Sequence, residues 1–102
     1  MSEYYKPEHL ARFSEIGNDA PELWAKFLEY YNAVFAEGAL SEREKALIAL
    51  AVAHSVQCAY CIDAYSTTCL EKGADRQQMT EAVHVAAAIR GGDVHGLSLI
   101  HI

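Results

Sequence analysis

Apolar residues recur at helical spacing along most of this chain. Leu23, Trp24, Phe27, Leu28, Tyr31, Val34 and Phe35 fall on one side of a 3.6-residue period. Start and stop signals frame that stripe and its neighbours. Pro7 suits the first turn of a short helix near residues 7–16, with Gly17 behind it. Asp19-Ala-Pro-Glu22 reads as a capping box that opens the aromatic-rich helix, and Gly38 ends it. Ser41-Glu-Arg-Glu44 opens a third helix, and Gly73 closes the segment that holds the cysteines. Asp75-Arg-Gln-Gln78 opens a last long helix, which Gly91-Gly92 is expected to end. No stretch alternates apolar and polar residues with period two, so no strand is expected and the class is all-α.

Two stretches break the usual amphipathic pattern. Ala46-Leu-Ile-Ala-Leu-Ala-Val-Ala53 and Ala82-Val-His-Val-Ala-Ala-Ala-Ile89 are apolar nearly all round. A surface helix carries a polar face, and a chain of 102 residues has little material to cover two such helices by itself. A homo-oligomer is therefore expected, with the alternative of two ordinary core helices in a monomer. The length suits a single domain over residues 1–102. The apolar share of 52% places the chain among folded proteins. The net charge of −6 argues against a nucleic-acid backbone or an anionic membrane as the main partner. No apolar run approaches the ~20 residues that cross a bilayer. The polar and aromatic start, Ser2-Glu-Tyr-Tyr-Lys6, does not read as a secretory signal, so a cytoplasmic location is expected. Residues 97–102, Leu-Ser-Leu-Ile-His-Ile, resemble the translated end of a sequencing-library adapter and are expected to be a non-native tail.

The candidate chemistry lies in the cysteines. Cys58 and Cys61 form a C-x-x-C pair, while Cys69 stands apart. An odd cysteine count without a signal peptide does not describe a secreted disulfide framework; in a reducing cytosol a close pair is catalytic or metal-binding. A helix unbroken from Ser41 to Lys72 would be unusually long, so a break is expected near Val56–Gln57. That break sets the pair in the first turn of a new helix, where the positive end of the helix dipole favours thiolate. His54 lies four residues before Cys58 and Tyr65 four after Cys61. An imidazole near the thiols acts as base and then stabilises the thiolate; the competing reading of His54 is a buried packing residue. A zinc site wants a second ligand pair, and Cys69, His54 and His84 supply none at zinc-like spacing. Cys69 is expected to be a small buried hydrophobe, and His84, in its apolar stretch, to be buried.

From Leu40 to Gly92 the chain resembles the carboxymuconolactone decarboxylase superfamily, in its alkylhydroperoxidase D-like branch. The matching text is Leu40-Ser-Glu-Arg-Glu-Lys-Ala-Leu-Ile-Ala-Leu-Ala-Val-Ala53, then Cys58-Ala-Tyr-Cys-Ile-Asp-Ala64, then Glu81-Ala-Val-His-Val-Ala-Ala-Ala-Ile-Arg-Gly-Gly92. Phe35-Ala-Glu-Gly-Ala-Leu40 and Ala53-His54 further resemble a subgroup of peroxidase-like proteins associated with arsenosugar biosynthesis. The resemblance implies an oligomeric all-α helical bundle, as trimer or hexamer, and a thiol peroxidase that reduces hydroperoxides. It implies Cys61 as the thiol that attacks peroxide, Cys58 as the thiol that closes the disulfide, an external dithiol protein as reductant, and no cofactor. Members that decarboxylate carboxymuconolactone do not share the thiol pair.

The chain departs from the peroxidase pattern where a proton relay is usual. Tyr65 stands where the pattern has histidine, Ala46 where it has glutamate, and Tyr60 where its best-known member has histidine. His54, Tyr65 and Glu44 are the candidates to replace that relay. Against the thiol peroxidase or disulfide reductase stand two other expectations, a metal-binding module and a non-catalytic helical oligomer.

Overall fold

The computed structural model describes residue 15 and residues 17–101, with side chains as far as residue 93. The helix expected over residues 7–16 falls almost wholly outside the described residues. Four helices follow in order: α1 (Pro21–Phe35), α2 (Glu42–Ser55), α3 (Ala59–Glu71) and α4 (Arg76–His101). No strand occurs among the described residues, as the absence of period-two alternation implied. No described helix is long and apolar enough to cross a membrane. The chain divides into two compact units, Met1–Glu42 and Arg43–Ile102.

The first unit carries α1. Its cap is Ala20 rather than Asp19, with Pro21 at the first helical position. The reason is local: a proline bars the preceding residue from helical geometry, and Ala20 accordingly sits at φ −146°, ψ 69°. The expected capping box from Asp19 is thus absent: the cap falls one residue later, on an alanine that makes no side-chain capping bond. The apolar stripe is a ladder of rings: Trp24 stacks on Phe27 with centroids 5.8 Å apart, Phe27 meets Tyr31 at 5.8 Å, and Tyr31 meets Phe35 at 4.8 Å. Gly17 is buried against this ladder, and a Cβ there would run into the Trp24 indole. The helix stops at Phe35, short of Gly38, where Ala36 turns extended.

The second unit packs α2, α3 and α4 around Ala46, Leu50, Cys69 and Ala74, with Leu47, Tyr65, Met79 and Val83 against that cluster. Leu50 is 2% exposed, and burying a leucine side chain contributes about 2 kcal/mol. The alanines among the buried residues let helix backbones approach closely. Cys69 is fully buried, as the sequence implied.

The α3–α4 connection is built by local rules. Gly73 takes φ +90°, which only glycine adopts at little cost. Its N–H donates to the Leu70 carbonyl at 3.2 Å, and the Ala74 N–H donates to the Cys69 carbonyl at 2.9 Å. Asp75 and Gln78 then cap α4 reciprocally: the Gln78 N–H donates to Asp75 Oδ1 at 2.8 Å and the Asp75 N–H to Gln78 Oε1 at 3.0 Å. Two expectations are corrected in α4. The helix does not end at Gly91-Gly92 but runs on to His101. Each glycine costs about 1 kcal/mol relative to alanine, yet a glycine permits a helix to end without compelling it. His84 is exposed rather than buried, because the buried side of α4 runs through Val83 and Ala86.

Candidate thiol site

The break expected near Val56–Gln57 is present, and it sets the geometry of the site. α2 ends at Ser55 and α3 begins at Ala59. Between them Gln57 adopts φ 58°, left-handed and outside glycine's privilege; such a conformation costs a non-glycine residue about 1–2 kcal/mol. The turn is held by three backbone bonds. The Val56 N–H donates to the Val52 carbonyl at 2.9 Å, the Gln57 N–H to His54 at 3.2 Å, and the Cys58 N–H to Ala53 at 3.0 Å.

Cys58 is therefore both the last anchor of α2 and the N-cap of α3. Its backbone lies at φ −94°, ψ 99°, its carbonyl accepts the Ile62 N–H at 2.9 Å, and its side chain makes no capping bond. Cys61 follows as the third residue of α3, and both cysteines are half-buried. Their Cα atoms are 5.2 Å apart and the sulfurs are joined as a disulfide. No acidic residue occupies the first turn of α3, so no nearby carboxylate of that turn offsets the positive helix end that favours thiolate.

His54 occupies the last turn of α2, half-buried, with Nδ1 2.9 Å from the Leu50 carbonyl. A carbonyl only accepts, so Nδ1 carries the hydrogen and a neutral ring keeps its lone pair on Nε2. The ring also lines an open pocket of about 250 Å³. Its walls are Leu50 and His54 from α2, Ile62 and Ser66 from α3, and Met79, Thr80 and Val83 from α4. The pocket thus joins His54 to Ile62, the residue after Cys61. Sequence reasoning did not single out Ser66, Met79 or Thr80; nothing in a linear spacing brings α4 to this place.

Tyr65 packs against the core cluster. Glu44 is exposed in the first turn of α2, about 15 Å along the helix axis from His54 at 1.5 Å per residue. The two positions where the peroxidase pattern has glutamate and histidine, Ala46 and Tyr65, belong to one core cluster. Burial pushes the Cys69 thiol pKa above its ordinary value, which leaves it unreactive beside the pair. Among the described residues no three His, Cys, Asp or Glu side chains gather as a metal ion would require.

The fold and site define a helical protein with a thiol pair opening one of its helices. The carboxymuconolactone decarboxylase family model matches residues 21–95, and the chain belongs to that family. It is 38% identical over 92 residues to "Uncharacterized protein 4 in cox locus" of Paracoccus denitrificans, covering 90% of this chain and 83% of that one. A crystal structure of a Methanobacterium thermoautotrophicum protein superposes with a TM-score of 0.75 at 36% identity, covering 83% of this chain and 97% of that one. The apo form of a carboxymuconolactone decarboxylase family protein from Legionella pneumophila superposes with a TM-score of 0.73 at 29% identity, covering 80% of this chain and 73% of that one. The alkylhydroperoxidase D-like branch is consistent with these matches.

Proposed function

We propose that this protein is a thiol-dependent peroxidase or disulfide reductase working through Cys58 and Cys61. The observation that carries the reading is the placement of both sulfurs, within bonding reach, at the start of α3. The Cys61 thiolate attacks one oxygen of a hydroperoxide ROOH. The O–O bond breaks, the sulfur becomes a sulfenic acid, and the departing alkoxide takes up a proton to leave as ROH. The Cys58 thiolate then attacks that sulfur, and the hydroxyl leaves as water after taking a second proton. Exchange with an external dithiol protein returns two electrons and two protons. His54 Nε2 is the proton acceptor in this scheme, supported by its position at the end of α2 and by the bond that fixes Nδ1.

A second reading, disulfide exchange with no peroxide step, is favoured by Ala46, which buries a side chain with no ionisable group where the peroxidase pattern has glutamate. One experiment separates the two: free thiols are counted in the reduced protein before and after one equivalent of cumene hydroperoxide or of oxidised glutathione. Loss of the Cys58 and Cys61 thiols to the peroxide supports the peroxidase. Loss to glutathione alone leaves the exchanger, and loss to neither overturns both.

The same proposal includes a homo-oligomer. Ile48 and Val52 on α2 are 50% and 53% exposed, and Val85 and Ile89 on α4 are 60% and 69% exposed. Light scattering at micromolar concentration is expected to give a multiple of the chain mass, and a monomer mass refutes assembly.

A further inference from the structure

The end of α2 has four backbone carbonyls that the helix itself leaves without partners. Three are taken within the turn, by the N–H groups of Val56, Cys58 and Gln57 on Val52, Ala53 and His54. The fourth, on Ser55, is taken from outside: Arg90 of α4 donates from Nη1 to the Ser55 oxygen at 2.7 Å, across 35 residues of sequence. The distance is that of a charge-assisted bond, and a cation suits the negative end of a helix. Ser55 is also the last helical residue before the strained Gln57 and the N-cap Cys58. A contact on the surface of α4 thereby anchors the segment that carries one sulfur of the pair.

We propose that Arg90 is a positioning residue for the thiol pair. By holding the Ser55 carbonyl it keeps the turn in the shape that presents Cys58 to Cys61. This rests on the reading that the pair cycles between dithiol and disulfide. The Arg90–Ser55 bond is made in the disulfide state, and under this proposal the dithiol state holds it less well. Freeing the turn lowers the effective concentration of one thiol at the other, and the pair becomes easier to reduce. The α4 segment Ala88-Ile-Arg-Gly91 gains a task that its exposure does not advertise.

The test equilibrates the full chain with mixtures of reduced and oxidised dithiothreitol. In this exchange the protein disulfide takes two electrons and two protons while the reagent closes to its cyclic disulfide. The two protein forms are counted by alkylation and mass spectrometry. Arg90→Met keeps the apolar stem and removes the donors; its equilibrium is expected to move toward the dithiol by roughly tenfold, the size of one charged hydrogen bond, or about 30 mV for a two-electron couple. Arg90→Lys keeps one charged donor and is expected between the two. A purely structural arginine would lower the melting temperature equally in both redox states and leave this equilibrium alone. A Met variant that folds and equilibrates within twofold of the parent overturns the proposal. If the Met variant does not fold, Arg90→Lys decides: a shift of roughly threefold, set by the weaker single-donor bond, supports it and no shift overturns it. A parent pair that never exchanges with dithiothreitol overturns the functional reading together with this one, whereas an exchanging parent with unchanged variants overturns Arg90 alone.

Discussion

Two turns in the second unit use the same hydrogen bonds and opposite chemistry. At the end of α3, Lys72, Gly73 and Ala74 donate to Thr68, Leu70 and Cys69 at 2.9, 3.2 and 2.9 Å. At the end of α2, Val56, Gln57 and Cys58 donate to Val52, His54 and Ala53 at 2.9, 3.2 and 3.0 Å. The left-handed position holds glycine in one and glutamine in the other. The next helix opens with a reciprocal cap in one and with an uncapping cysteine in the other. Each turn also contains a cysteine: Cys69 is sealed in the core, while Cys58 stands half-open in a disulfide. One turn follows local preference throughout, and the other departs from it twice within two residues. Such departures collect where a reactive group has to be held.

The contrast can be tested from both sides. The largest effect is expected in thiol reactivity. In the reduced, folded protein the Cys58–Cys61 pair should alkylate roughly a hundredfold faster than Cys69, because Cys69 needs local opening to react and its thiol is held neutral. Peptide mapping after timed iodoacetamide quenches reads this directly; equal rates would erase the distinction. Next in size, Gly73→Gln places the same residue in both turns. It should cost about 1–2 kcal/mol, read as a lower urea midpoint with unchanged slope. Comparable in size is His54→Gln, which removes the only imidazole of the α2 turn from a position where the α3 turn has Leu70. Alkylation of the pair near neutral pH should slow by roughly tenfold; an unchanged pH profile would make His54 a packing residue. The smallest effect is Gln57→Gly, expected to stabilise the chain by at most about 1 kcal/mol, since relief of strain is partly offset by a freer unfolded chain. A destabilised Gln57→Gly variant would mean that the glutamine side chain, not the backbone, holds the turn.

What the sequence made legible was local. The Asp75-to-Gln78 cap follows from residues within one turn of each other, the break before Cys58 from the excessive length of an unbroken helix, and both are found. The all-α class follows from periodicity alone. Misreadings arose where a residue permits several outcomes. Gly91 and Gly92 do not stop α4, and Asp19 yields the cap of α1 to Ala20 because Pro21 restricts its neighbour. Nothing in Gln57 announces its left-handed backbone, which the surrounding bonds impose. At the site, the spacing of Cys58 and Cys61 was readable, and so was the proximity of His54 in sequence. The pocket residues of α4 and the Arg90 bond were not, because both depend on how α4 packs against α2 and α3. The departure from pattern at Ala46 and Tyr65 was visible in the sequence, but that the two join one core cluster required the structure.

The connector between α2 and α3 contains no spare length. Its residues are all engaged, and Cys58 closes one helix while opening the next. An inserted residue there would rotate Cys61 by about 100° around α3 relative to the turn, at 3.6 residues per turn, and a deletion would rotate it the other way. Lineages that carry this site are thus free to vary in loop length only elsewhere, for instance across residues 36–41, and alignments of the family should show a gap-free column block from His54 through Cys61.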